Sequence, residues 1–337
     1  MQRNRMRSTV TLGVLTLLVL GLTLRFGLDQ VARGASKPRA TKETVEGMIV
    51  SLSNWGRWGK DDEMGSLNLI TPAKRKQAAA LVRDGVSVSL AKDFPETGLS
   101  QSGFGHKMTS TGESTESTHA SDVYSMDYHG LALTHLDALC HLFYKGKMYN
   151  GFSQEQVTEK GARRLSVINT KDGFFTRGVL MDMPRLWGVH YLEGSRVIYP
   201  ENLEAWETKS GVKVESGDVI LIRTGRWARQ SAEGEQAIMQ KAAGLDVSCL
   251  PWLKKRNVAI VGSDFATDVL PSGVEGFITP IHLVVITAMG MPILDNCDLE
   301  GLSEAANARK RWSFLVTAAP LPVQGGTGSP INPVATF

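Results

Sequence analysis

Three short apolar runs limit the architecture more than any other feature of the chain. Val179-Leu180-Met181, Val219-Ile220-Leu221-Ile222 and Val258-Ala259-Ile260-Val261 are each bounded by Gly, Asp or Asn, and such runs suit buried strands. Helical stretches are expected near 201–209, 234–243, 280–289 and 298–310, so this half of the chain has a βα rhythm. Upstream, Thr71-Pro72 opens a helix, with Thr71 as cap and Pro72 at the first helical position. Gly85 is expected to end it. Val86-Ser87-Val88-Ser89-Leu90 then alternates like a strand. The expectation is one mature α/β domain spanning 51–337, preceded by a polar linker over 36–50.

With 337 residues, 42% of them hydrophobic, the chain can fill a core without staples. Its three cysteines, Cys140, Cys249 and Cys297, are too widely spaced for a disulfide framework or a CxxC zinc site. Residues 99–119, rich in Ser, Thr and Gly, are expected to form a long loop, in which His106 and His119 are solvated. Trp55-Gly56-Arg57-Trp58-Gly59 reads either as an anchor for the N-terminal arm or as a lid over a ligand.

Arg3, Arg5 and Arg7 precede an uncharged run from Ser8 to Leu24, with small residues following at Ala32–Ser36. Residues 1–35 are therefore expected to be a signal peptide or an N-terminal membrane anchor, and the protein to be exported to the periplasm or held facing it. Removing them deletes five arginines and Asp29, which takes the formal charge from +3 to −1. The basic balance thus gives no ground for nucleic-acid binding, and the membrane is met only through this segment.

The chemistry concentrates in Thr134-His135-Leu136-Asp137-Ala138-Leu139-Cys140-His141. On a strand, His135, Asp137, Leu139 and His141 share one face, and Leu136, Ala138 and Cys140 the other. An imidazole and a carboxylate two apart can share a metal ion. If the chain turns after Asp137, His141 can swing back over it. Cys140 then reads as a buried core residue rather than a nucleophile. Downstream, His282 stands near the start of an apolar helix after Thr279-Pro280, and Met291-Pro292-Ile293-Leu294 delivers Asp295. Asp295 is either a fourth ligand or the cap of the segment after it. Gly325-Gly326-Thr327-Gly328 reads as a turn after the last strand.

Together with Gly217–Gly225 and Val261-Gly262-Ser263-Asp264, these segments resemble the cyclase family, which includes kynurenine formamidase and isatin hydrolase. The resemblance runs from about Trp55 to near the C-terminus. It implies a swivelling β/β/α fold, homodimers or homotetramers, and a divalent metal (Zn or Mn) serving hydrolysis of a formamide or cyclic amide. The family's HxGTHxDxPxH pattern matches His135 and Asp137 to metal ligands and His141 to the catalytic histidine. His282 and Asp295 match the later ligands. The pattern's first His falls on Leu131 and its glycine on Leu133, which leaves His129, on the same parity, as the candidate substitute ligand. Leu131, Leu133, Trp55, Trp58 and Phe143 are the candidate lining of a small-molecule substrate site. The alternatives are a cyclase, dehydratase or lactonase acting on an oxygen substrate, or a non-catalytic binding protein.

Overall fold

The computed structural model describes residues 40–94 and 104–337; the proposed leader at 1–35 lies outside them. Among the described residues, no helix is long and apolar enough to cross a membrane.

The expected linker is in its second half a helix, α1 (Lys42–Ser51). Thr41 accepts from the Thr44 amide and Thr44 reaches back to the Thr41 amide, a reciprocal cap. Val45 and Ile49, one helical turn apart, are both buried, so the folded unit begins at Ala40 rather than at 51. Polar composition around two apolar positions had hidden a short amphipathic helix. The next helix, α2 (Pro72–Ala79), has the expected cap, Thr71 accepting from the Lys74 amide at 3.2 Å. It stops at Ala80 instead of Gly85, whose amide is spent on the Phe337 carbonyl.

One sheet organises the domain. Its strands are β1 (Ser87–Ser89), β4 (His135–Asp137), β5 (Phe174–Asp182), β6 (Val219–Arg223), β7 (Ile260–Ser263), β8 (Ile293–Asp295), β9 (Ser313–Ala318), β10 (Gly328–Pro330) and β11 (Val334–Thr336). Their order is β1-β11-β9-β5-β6-β7-β8-β4-β10. The four central strands β5, β6, β7 and β8 run parallel, and the flanking pairs are antiparallel. The three apolar runs are in the parallel core, where every residue of β6 and β7 is buried. Helices α3 (Pro200–Ser210), α4 (Arg226–Glu233), α5 (Pro280–Thr287) and α6 (Glu300–Arg309) alternate with them. The expected mixed α/β class holds. α5 is apolar almost all round and buried over nearly its whole length, as such a helix must be.

The Ser/Thr-rich stretch expected as a loop contains a hairpin, β2 (Gly105–Ser110) with β3 (Ser121–Ser125). Nearly every residue of both strands is exposed, so no apolar alternation marked them in the sequence. His106 bonds Asp122 at 2.7 Å on this ribbon and His119 is exposed.

Candidate metal centre

Strand geometry alone places three ligand-type side chains on one face. β8 is the outermost of the parallel strands and ends at Asp295. β4 lies antiparallel to it, with His135 opposite Asp295 and Asp137 opposite Ile293. Directly opposed residues share a face, as do residues two apart. The cluster thus forms at the carboxyl end of a parallel strand, where open α/β sheets commonly bind ligands.

His135, Asp137 and Asp295 each offer an atom within 4.8 Å of the others, and all three are buried. His135 Nδ1 is 2.8 Å from the Leu133 carbonyl. A carbonyl only accepts, so Nδ1 carries the proton and Nε2 is left as a lone pair facing the carboxylates. Asp137 Oδ1 and Asp295 Oδ1 are buried without a hydrogen-bond partner. Unpartnered buried carboxylate oxygens beside an oriented imidazole lone pair are what a bound cation would satisfy, so these residues fit a divalent metal.

A second trio shares Asp137 and adds His129 and His141. His129 Nδ1 stands 3.0 Å from Asp137 Oδ1, His135 Nε2 3.5 Å from that oxygen, and His141 Nε2 3.8 Å from Asp137 Oδ2. The His129 and His141 rings stack at 4.0 Å between centroids, 8° from parallel. Burial opposes ionisation of Asp137, but His129 beside it and the surrounding imidazoles of His141, His135 and His282 hold its carboxyl well below the usual carboxylate range. His141 is pushed down to about 4, by burial first and then by the neighbouring imidazoles, so it is neutral at pH 7.

The chain does turn after Asp137: the His141 amide bonds the Ala138 carbonyl at 3.0 Å. Because of that turn Leu139 does not follow strand parity to the site; it is buried with Ala138, Cys140 and Met148 in a separate apolar cluster. Cys140 is in the core as expected, and burial raises its thiol to about 12. Cys140→Ala is therefore expected to retain full metal content and activity, and thiol alkylation of the native protein to be negligible. Loss of turnover without unfolding would give the sulfur a chemical role.

His129, not Leu131, faces Asp137. Gly130, at φ +140°, turns the chain so that His129 faces Asp137. Leu131, partly buried, packs against Ile238, Ala242, Phe265 and Ala266. Leu131→His should accordingly leave metal affinity unchanged and cost about 1–3 kcal/mol of stability, since a polar ring would replace an apolar contact. Chemical denaturation and metal titration of the two proteins check this. Leu133 is buried, and its carbonyl supports His135. Trp55 ties its loop to α5 by donating from its indole to the Thr287 carbonyl at 2.8 Å, and Trp58 lies under the Arg57 guanidinium. Phe143 is exposed.

His282 reaches the cluster from the first turn of α5, with Nε2 2.8 Å from Asp295 Oδ2 and Nδ1 2.7 Å from Asp268 Oδ2. It stands beside the two trios rather than within either. Burial alone would lower its pKa, but the two carboxylates raise it well above the ordinary value. Asp268 also accepts the Ile281 and His282 amides, so one carboxylate both caps α5 and orients the ring. Burial pushes Asp268 upward against those bonds; two carboxylates around one ring favour a shared proton on the imidazole. The side-chain bond of Asp295 goes to His282, and α6 begins at Glu300 without a side-chain cap.

Sequence reasoning missed Asp268 and Thr327. Nothing local marks Asp268. Thr327 lies in the glycine run read as a turn after the last strand, yet Gly328 opens β10 beside β4, and two strands follow that run. Thr327 Oγ1 is 3.0 Å from His129 Nε2. A Cβ on Gly328 would lie 2.4 Å from the Leu136 carbonyl oxygen and 2.9 Å from the His129 ring, so only glycine fits there.

Fold and cluster together define a mixed α/β protein with an imidazole–carboxylate centre at the strand ends. The Cyclase family model, described as "Putative cyclase", matches residues 53–269, and the chain belongs to the cyclase family. His282 and Asp295 lie beyond the matched residues. A crystal structure described as a novel cyclase superposes with a TM-score of 0.78 at 29% identity, covering 85% of this chain and all of that one. Isatin hydrolase A from Ralstonia solanacearum is similar in fold, with a TM-score of 0.54 at 18% identity over 77% of this chain and 93% of its own. An isatin hydrolase bound to the product analogue thioisatinate gives 0.52 at 17% identity, over 77% and 94%. No match was found among curated proteins.

Proposed function

We propose that the protein is a metal-dependent hydrolase of the C–N bond of a formamide or cyclic amide, acting outside the cytoplasm. The observation that supports this most is the convergence of His135, Asp137 and Asp295 with two buried carboxylate oxygens that make no hydrogen bond. His135 through Nε2, Asp137 and Asp295 would hold the metal, and His129 through Nδ1 would take the position vacated at Leu131. A divalent ion bound there supplies an acidified water and polarises a carbonyl. With only nitrogen and oxygen donors, Zn and Mn both suit.

The chain's own residues do the rest. His141, neutral at pH 7 and 28% exposed, accepts a proton at Nε2 and returns it to the leaving nitrogen. His282, backed by Asp268, fixes the Asp295 carboxylate by hydrogen bonding; it joins the ligands only by releasing its Nε2 proton. Metal analysis of the purified protein, with a screen of formamides, cyclic amides and lactones, tests the reading. Turnover of lactones alone would favour an oxygen substrate. Protein that copurifies with no metal and turns nothing over would leave a binding protein. Cell fractionation tests export, and sedimentation tests the homo-oligomer.

A further inference from the structure

The loop that delivers His129 and Leu131 has no strand partner to hold it. Backbone carbonyls drawn out of water need donors, and here two part-buried carbonyls and one buried carbonyl are met by side chains. The Gly130 carbonyl accepts from Asn296 Nδ2 at 2.8 Å, the Leu131 carbonyl from Arg226 Nη2 at 2.7 Å, and the Leu133 carbonyl from Asn296 Nδ2 at 3.1 Å and from His135 Nδ1. Thr134 closes the loop by donating its hydroxyl to the Asn296 carbonyl at 2.7 Å.

Arg226 is an unusual residue for such a task. It is 5% exposed, and among the described residues no carboxylate lies within salt-bridge distance of it. Asp264, an acid close by in the fold, is consumed by the amides of Thr224, Gly225 and Arg226 and by the Thr224 hydroxyl. That arrangement fixes the backbone from which Arg226 springs. Its guanidinium lies 3.6 Å over the Trp227 ring and 5.1 Å from Phe265, and its Nε makes no hydrogen bond. Holding a buried guanidinium on neutral acceptors is costly, so the arrangement calls for a function that the contact with Leu131 performs.

We infer that Arg226 and Asn296 clamp residues 130–134 in the conformation that turns Leu131 outward and His129 inward, making Arg226 a positioning residue for His129. Arg226 draws the Leu131 backbone toward α4 while the Leu131 side chain packs beside Phe265. Gly130 then swings His129 onto Asp137. Asn296 follows Asp295 directly, so the clamp ties the loop to a strand end that carries another ligand. This inference rests on the reading of the cluster as a metal centre with His129 as a ligand.

A double-mutant cycle separates the two claims. Metal-free full-length protein, Arg226→Met, His129→Ala and the double variant are titrated with Zn²⁺ against a chelating dye. Arg226→Met is expected to weaken Zn²⁺ binding about 10–100-fold, the range for partners that orient ligands. His129→Ala should weaken it at least as much, and the double variant no further than His129→Ala. In the Co²⁺-loaded proteins Arg226→Met should shift the visible bands as His129→Ala does, and Arg226→Lys, which keeps a donor for the Leu131 carbonyl, should shift them less. An Arg226→Met protein with the parent's affinity overturns the inference. So does a loss repeated in full in the His129→Ala background, because it would not pass through His129. If His129→Ala binds Zn²⁺ like the parent, the ligand assignment fails and the inference with it; if the parent binds no Zn²⁺, the metal centre itself fails. Should Arg226→Met not fold, Asn296→Ala, which removes the donors to the Gly130 and Leu133 carbonyls, runs the same cycle with the same criteria.

Discussion

Asp137→Ala is expected to empty the centre of metal and to reduce turnover to background. Asp137 is the one residue common to both trios, with Oδ1 toward His129 and His135 and Oδ2 toward His141. Removing it takes away the charge that four imidazoles surround and the oxygen that a cation would use. The loss of metal affinity should exceed about 10²-fold, the upper end of what partners of ligands cost. Asp137→Asn keeps the shape and one oxygen but not the charge, and should fall between the two. Metal content of the purified variants and direct titration measure this. An Asp137→Ala protein that keeps its metal would mean that the centre lies elsewhere and would remove the hydrolase reading.

His141→Ala is expected to lower the rate by about 10²–10⁴-fold while leaving the metal in place, because its assigned part is proton transfer. The geometry makes this a real choice. His141 stacks on His129 and points at Asp137 from 3.8 Å, so it is close enough to be recruited as a ligand in the second trio. Metal content decides. If metal and activity fall together, His141 is a ligand, and the proton must travel by another group. If activity alone falls, the transfer role stands, and the remaining rate reports what the metal site achieves without it.

The THLDALCH segment was legible because strand parity is a local rule. It put His135 and Asp137 on one face, and the structure agrees. The same rule failed four residues on, at Leu139, because the strand is only three residues long and the chain turns at Ala138. The helix over 42–51 and the hairpin over 105–125 were missed for related reasons: one buries only two side chains and the other almost none, so neither left an apolar period to read. Asp268 could not have been found at all. It lies 14 residues before its partner His282, and its part depends on α5 starting where it does.

The amino-acid sequence by itself determined the parallel α/β core, since short apolar runs bounded by Gly, Asp or Asn suit strands buried on both faces. It also determined which residue types gather near Thr134–His141, and that the position at Leu131 carries no ligand. Tertiary structure alone decided which side chain of that loop faces Asp137. Register set Asp295 opposite His135, and Gly130 at positive φ, with Arg226 and Asn296 on the loop carbonyls, turned Leu131 into an apolar cluster and His129 onto Asp137. No local rule contains that outcome, because the partners lie about a hundred residues or more away and their bonds are satisfied only after the sheet has closed.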